Sequence, residues 1–239
     1  MARIMFTKLK IDRIEFALSC VTPLYLTGRY SGLVVAAGAS CVELMAVFDG
    51  YPLMREYHCL DVGTLKLNSI IRDELAHINK EVSMDHLKTI TEEEISEQIR
   101  NHYSSIPASN QPVNVSIRKM RLKFVPDRIN YGIFFGDSQK EEPNIAHSFC
   151  SLLDSLPPTA LSAVAGNVVL SGGLWRVKGM QKYFKKQILA ELPNFPKLNN
   201  LDIKSKLGTS TISKVSCHGV STQAKLLGSD AQLVLQFGR

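Results

Sequence analysis

The chain has 239 residues, 45% of them apolar and 21% charged, with a formal charge of +6. That is enough for one large domain or two small ones around a buried core. It carries too much apolar sequence for global disorder, and its basic balance permits acidic partners but falls short of a nucleic-acid signature. Cysteines at 20, 41, 59, 150 and 217 form no Cys-x-x-Cys pair, which leaves a zinc site little support. Their odd number, with no secretory leader at the start, predicts free thiols in a reducing compartment. No run approaches the roughly 18 apolar residues of a membrane span, so the expectation is a soluble cytosolic or nuclear protein.

Ile11, Ile14, Leu18 and Val21 fall at helical spacing and predict an amphipathic helix over 11–26. Pro23 is expected to end or kink it, and Thr27-Gly28-Arg29 is a C-terminal stop. The stretch 32–51 then reads as strand, tight turn, strand. Leu33–Ala37 is continuously apolar, as in a strand buried on both faces, and Asp49-Gly50 is a turn that closes the second strand. Leu67, Ile70, Ile71, Leu75 and Ile78 mark a helix over 64–79, followed by a polar break at 80–90. Thr91-Glu92-Glu93-Glu94 is a capping box opening a helix with Ile95 and Ile99 inside. A loop follows at 107–112.

Residues 113–125 alternate well enough for a strand or two, with Arg118, Lys119, Arg121, Lys123 and Arg128 clustered there. A solvated edge that resists sticking explains such a cluster; an anion-binding surface is the alternative. Asp137–Pro143 reads as an exposed acidic turn. A short helix runs over 145–156 to Pro157-Pro158, with room for a second after it. Val168-Val169-Leu170 is a buried strand that runs into Ser171-Gly172-Gly173. A helix from Gly179 to about Leu192 follows, with Met180, Phe184, Ile188 and Leu192 along one face and Lys182, Lys185 and Lys186 elsewhere. The last forty or so residues are weakly patterned, with a possible strand in 232–237. Helices and strands alternate, which argues an α/β domain.

Several segments, in order and nearly in register, resemble actin. They are Ile4-Met5-Phe6, Leu24-Tyr25, Gly28-Arg29, Gly32-Leu33-Val34, Val47-Phe48-Asp49-Gly50-Tyr51, Leu60-Asp61, and Val169-Leu170-Ser171-Gly172-Gly173 with Gly179 six residues on. They span roughly 3–190. The resemblance implies a partial actin-like α/β fold of the ribonuclease-H-like ATPase clan, with an inserted helical subdomain. By that reading 1–31 is a remnant of subdomain 1, 32–60 and 143–200 form the subdomain 3-like core, 61–142 is the subdomain 4-like insertion, and 201–239 returns toward subdomain 1. The first third of an actin, with its first phosphate loop and subdomain 2, has no counterpart.

The departures fall on the chemistry. A magnesium nucleotide needs hard oxygen ligands, and the two aspartate positions of actin's second phosphate loop are Ala36 and Ala39. Gly38 remains between them, and the next glycine is Ser40. The residues that position and orient water in actin correspond to Glu43 and Ser19. On the sugar side, the ribose-holding glutamate matches Asn101, its lysine neighbour Arg100, and the aromatic after the Gly-Gly turn Val177. Gly38, Gly172 and Gly173 are all that remains of the cofactor cradle. Phosphoryl transfer is mostly positioning and charge stabilisation, so the expectation is no catalytic residue, no metal, no cofactor and no ATPase.

Other constellations are thin. His58 and Cys59 are neighbours on a strand and so face opposite ways. His147 and Cys150 share a helix face and read as a core pair rather than a metal site. Trp175, the single tryptophan, packs over the emptied cleft or serves as an exposed partner anchor. The resemblance implies a non-catalytic structural subunit that caps or braces a cytoskeletal assembly through protein partners, among them actin-like filament subunits. Leu153-Asp154-Ser155-Leu156 is similar to the branch at the pointed end of dynactin. A chromatin-remodelling subunit in the nucleus and a nucleotide-binding ATPase are the alternatives.

Overall fold

The apolar stretch after residue 31 builds the centre of the molecule. The computed structural model describes residues 2–8, 10, 14–18, 20–81, 86–87, 89–100, 111–118, 120–129, 131–136, 143–198, 211–215 and 233–236. After a helix α1 (Ala2–Thr7), strand β1 (Ile14–Ala17) and a one-turn helix α2 (Thr22–Tyr25), β2 (Gly32–Ala37) and β3 (Val42–Phe48) form an antiparallel hairpin with Val35 facing Leu44. The Asp49-Gly50 turn leads into β4 (Tyr51–Pro52), and β5 (His58–Leu60) also pairs with β3.

Helix α3 (Thr64–Ile78) and a short α4 (Glu92–Glu94), continued by a π-helical turn over Ile95–Arg100, come next. A separate hairpin, β6 (Val113–Ile117) with β7 (Met120–Phe124), follows. Helices α5 (Ile145–Ser155) and α6 (Pro158–Ala165) lead to β8 (Asn167–Gly172), then α7 (Met180–Glu191), β9 (Thr211–Val215) and β10 (Leu233–Gln236). The main sheet runs β4-β3-β2-β8-β9, with β8 parallel to β2 and β9 parallel to β8. Helix and strand together make a mixed α/β fold, as the alternation predicts.

The central strands are buried on both faces. Leu33, Val35, Leu44 and Ala46 point into the larger core with α3, α5, α6 and α7. Val34, Met45, Val47 and Val169 point the other way, onto a small cluster with Cys20, Val21 and Leu24 beside α2. This two-sided burial is why the sequence there is an unbroken apolar run rather than an alternation.

The structure corrects the start of the chain. The predicted helix over 11–26 is a strand and a one-turn helix, because Ile14–Ala17 pairs in parallel with Leu233–Gln236. That partner lies more than two hundred residues on, and a local period cannot register it. Pro23 does not end a helix. It stands in the first turn of α2, where its missing amide costs nothing. The weakly patterned tail supplies two strands: β10 falls within the predicted 232–237, whereas β9 was hidden in Ser- and Thr-rich sequence.

Other elements fall where expected. Both halves of the Thr91–Glu94 capping box form: Glu94 N–H donates to Thr91 Oγ1 at 3.3 Å, and Thr91 N–H to Glu94 Oε2 at 2.8 Å. Ile95 and Ile99 are buried beneath it. Of the basic cluster, Arg121 and Lys123 are exposed on β7. Arg118 is not simply solvated, since its Nε and Nη2 donate to the two carboxylate oxygens of Glu94 at 2.7 and 3.0 Å. Lys119, most of the 107–112 loop and the acidic turn at 137–142 lie outside the described residues. The described helices include none long and apolar enough to cross a membrane.

Candidate functional site

The parallel pairing of β2 with β8 sets Ala36 beside Ser171 and Ala37 beside Gly172. It therefore brings the hairpin turn at 38–41 and the Gly-Gly turn to the same end of the sheet. In open α/β sheets, ligands bind at the carboxyl ends of such strands, so this is where a cradle would lie.

The hairpin turn is closed by Gly38 N–H donating to Cys41 O at 2.9 Å. Its outward carbonyls are already engaged. Thr64 N–H and Oγ1 donate to Gly38 O at 3.1 and 3.2 Å, and Leu65 N–H donates to Ala39 O at 3.0 Å. These are first-turn amides of α3, groups that a helix leaves unsatisfied. The turn thus serves as the cap of α3. The approach is close enough to require Gly63, where a Cβ would stand 2.0 Å from Ala39 O. Ala39 and Ser40 are exposed, and Ala36 is partly buried against the smaller core.

Glu43 is also engaged, accepting a hydrogen bond from Tyr57 Oη at 2.6 Å. Burial first, then that bond to Glu43, pushes the Tyr57 phenol well above its ordinary value. Ser19 and Asn101 lie outside the described residues.

The Gly-Gly turn has a different cause. Gly172 takes φ +105°, and a Cβ there would stand 2.0 Å from Ala37 O. Gly173 faces a side chain: Arg100 Nη2 would lie 2.7 Å from its Cβ. Arg100 is buried, and its Nη1 donates to Asn68 Oδ1 at 3.1 Å. Asn68 Nδ2 donates to Glu92 Oε2 at 2.9 Å, and Arg72 Nη2 to Glu92 Oε1 at 2.7 Å. Among the described residues Arg100 reaches the Glu92 carboxylate through Asn68, and its Nε has no hydrogen-bond partner. Burial, and after it the charge of Arg176, lowers its pKa. A guanidinium from the π-helical turn after α4 thus lies against the second glycine.

Beyond the turn, Trp175 is buried, with Nε1 donating to Val35 O at 3.2 Å and its ring 5.1 Å from that of Phe184. It is a core residue rather than an exposed anchor. Val177 is buried beside it.

The side constellations separate. His58 pairs with Leu44 and Cys59 with Glu43, on opposite faces of β5. Burial lowers the His58 pKa. Cys150 is fully buried, and burial pushes its thiol up to about 12. His147 is not its core partner: it is half-buried, with Nδ1 3.3 Å from Glu191 Oε2 and its ring against Phe195. Leu153 and Leu156 are core residues at the end of α5, and Lys197 Nζ binds the carbonyls of Asp154 and Leu156. Sequence reasoning had matched Arg100 to a cradle position. It missed that Asn68 and Glu92, from the neighbouring helices, would hold it there, because no spacing signals a contact between those segments.

Comparison with known proteins agrees with the mixed α/β fold. The actin family model matches residues 1–150. Actin-like protein 7A of Rattus norvegicus is 22% identical over 216 residues, covering 84% of this chain and 48% of that protein. The chain therefore spans about half the length of the curated relative it matches.

Proposed function

The chain belongs to the actin family, and from that premise we propose that it is a non-catalytic, actin-related structural subunit that caps or braces a larger cytoskeletal assembly. One observation carries the reading. At the end of the sheet where the family's nucleotide would be gripped, the positions for metal-directed carboxylates are Ala36 and Ala39, and the space is used by the chain itself. The hairpin turn caps α3, and Arg100 lies on Gly173. Gly38, Gly172 and Gly173 remain for packing, with no cofactor to hold. The 32–60 and 143–200 segments serve in this reading as the subdomain 3-like core and 61–142 as the subdomain 4-like insertion.

The pointed end of dynactin is the assembly we favour, on the Leu153–Leu156 likeness, with actin-like filament subunits as partners in the cytoplasm. A nuclear chromatin-remodelling complex is the second placement. Isothermal titration of the purified chain with magnesium-ATP should show no heat of binding; a micromolar Kd would overturn the non-catalytic reading. Purification from native cells with the partners identified tests the placement. Recovery with dynactin subunits supports the first assembly, and recovery with chromatin remodellers replaces it by the second.

A further inference from the structure

We propose that the outer face of α7 is a docking surface for an acidic helix of a protein partner, with carboxylates set on Lys182 and Lys186 and an apolar side chain on Leu189. The inference is independent of the nucleotide question. It begins with the two sides of the helix. Met180, Phe184 and Ile188 are buried in the larger core. On the other side Lys182, Lys186 and Leu189 are exposed, Leu189 at 41%. They stand at i, i+4 and i+7, which places them on one face, over about 10 Å of helix. Lys178 is exposed just before the first turn. Between Arg176 and Lys186 the sequence has five cations and no carboxylate.

The helix is charged against its own dipole. Helices favour acids in the first turn and bases in the last. Here Lys182 stands in the first turn, which has no acid, and Glu191 ends a last turn that has no base. Lys182 and Lys186 also repel as like charges at i, i+4. Among the described residues no ion pair to either lysine offsets this. Glu191, the single acid of α7, is turned instead to His147, Asn144 and Asn194. A local rule broken without internal compensation is expected at a functional surface.

The pattern selects the partner. Side chains at i, i+4 and i+7 are what one helix presents to another, and glutamates at the same spacing would meet the two lysines. The exposed leucine on that face has no counterpart on a phosphate backbone. No exposed aromatic of α7 is there to stack on a base. A lipid surface fits no better, because membrane-surface helices insert their apolar face and that of α7 is buried in the core.

The probe is a fluorescein-labelled synthetic helix of about 20 residues, with glutamates four apart beside leucines on one face. Its control is an isomer of the same composition with the glutamates spread around the helix. Anisotropy with the full chain should show saturable binding at low salt that weakens as salt is added. Lys182→Glu combined with Lys186→Glu should weaken it about tenfold or more, and Leu189→Ser and the isomer several-fold. Lys182→Glu alone should raise the urea midpoint while it lowers binding, since it gives the first turn an acid and Lys186 a partner; a lysine that serves the fold would lower the midpoint instead. Equal binding of the isomer, or binding indifferent to charge reversal, would overturn the proposal. So would tighter retention by phosphatidylserine vesicles or a DNA duplex, or a dimer of the chain alone that the charge reversal dissolves.

Discussion

Two turns close the same end of the central sheet, and in the reading proposed here one departs from the actin pattern and the other keeps it. The hairpin turn at 38–41 lacks the carboxylates; the turn at 172–173 has both glycines. The difference follows from what each residue type touches. Gly172 lies at φ +105° against the carbonyl of Ala37, so the β2–β8 packing demands a glycine whether or not a ligand is bound. A carboxylate at Ala36 or Ala39 would have no such internal duty, because the hairpin turn is held by its carbonyls and by Gly63. Glycines in a cradle are therefore evidence of fold, and carboxylates are evidence of chemistry.

That comparison breaks most visibly at its two tight contacts. Gly172→Ala combines backbone strain with displacement of a carbonyl, and should cost roughly 3–6 kcal/mol. Gly63→Ala carries no dihedral strain, but its Cβ would meet Ala39 O at 2.0 Å; about 2–3 kcal/mol is expected. Gly28 has φ +70° with open space around it, so Gly28→Ala should cost only about 1–2 kcal/mol. Urea midpoints of the three variants check the ranking. Equal losses at Gly28 and Gly172 would mean that the close approach to β2 contributes nothing.

Trp175→Ala should cost about 3–5 kcal/mol, as expected for removing a large buried ring. It also leaves Val35 O without its indole donor. Trp175→Phe isolates that donor and a smaller volume loss, and should cost about 1–2 kcal/mol. Near-ultraviolet dichroism and thermal unfolding measure both. A Trp175→Ala variant as stable as the natural chain would return the residue to the surface role the sequence also allowed.

Arg100 sharpens the comparison on the side that has its glycines. Arg100→Ala empties the space over Gly173 and removes the guanidinium donor to Asn68 Oδ1, for about 2–3 kcal/mol. Arg100→Lys can still donate to Asn68 but has no planar group to lay on the glycine, and should lose less. Neither variant should gain magnesium-ATP binding, because the hairpin side would still lack its carboxylates. Micromolar affinity in Arg100→Ala would show that the arginine alone closes the cradle.

The pattern of what was legible follows the same physics. Val34, Val35 and Leu44 declare a sheet because two-sided burial leaves only apolar residues. Thr91–Glu94 declares a helix start because a cap is a local hydrogen-bond problem. The 11–26 segment failed because β1 is decided by pairing with β10, and Thr211–Val215 because its order comes from lying beside β8. At the site, the resemblance sets Ala36 and Ala39 at the expected carboxylate positions, but no residue type foretold what the two turns touch. The Arg100–Asn68–Glu92 chain joins three elements whose approach only the folded chain reveals.

The smallest expected effect lies at the edge of that filling network, where Arg118 grips Glu94. That bond first, and then the Thr91 backbone amide, hold the Glu94 carboxyl down at about 2. Its folded-state pKa is below the unfolded one, so the stabilisation is present above the usual glutamate range and is lost as pH falls through the folded value. The window is therefore roughly pH 4.5 to 2. Burial also lowers His58, but that group titrates from about pH 6.5 downward, so its loss begins earlier on acidification. Arg118→Ala should lower the urea midpoint above about pH 4.5, flatten the acid limb below it so that the two curves converge near pH 2, and leave the His58 slope unchanged. Since the pair is solvent-exposed, salt should weaken it in the natural chain and do little in the variant. An acid limb unaltered by Arg118→Ala would place the linkage on the Thr91 cap alone.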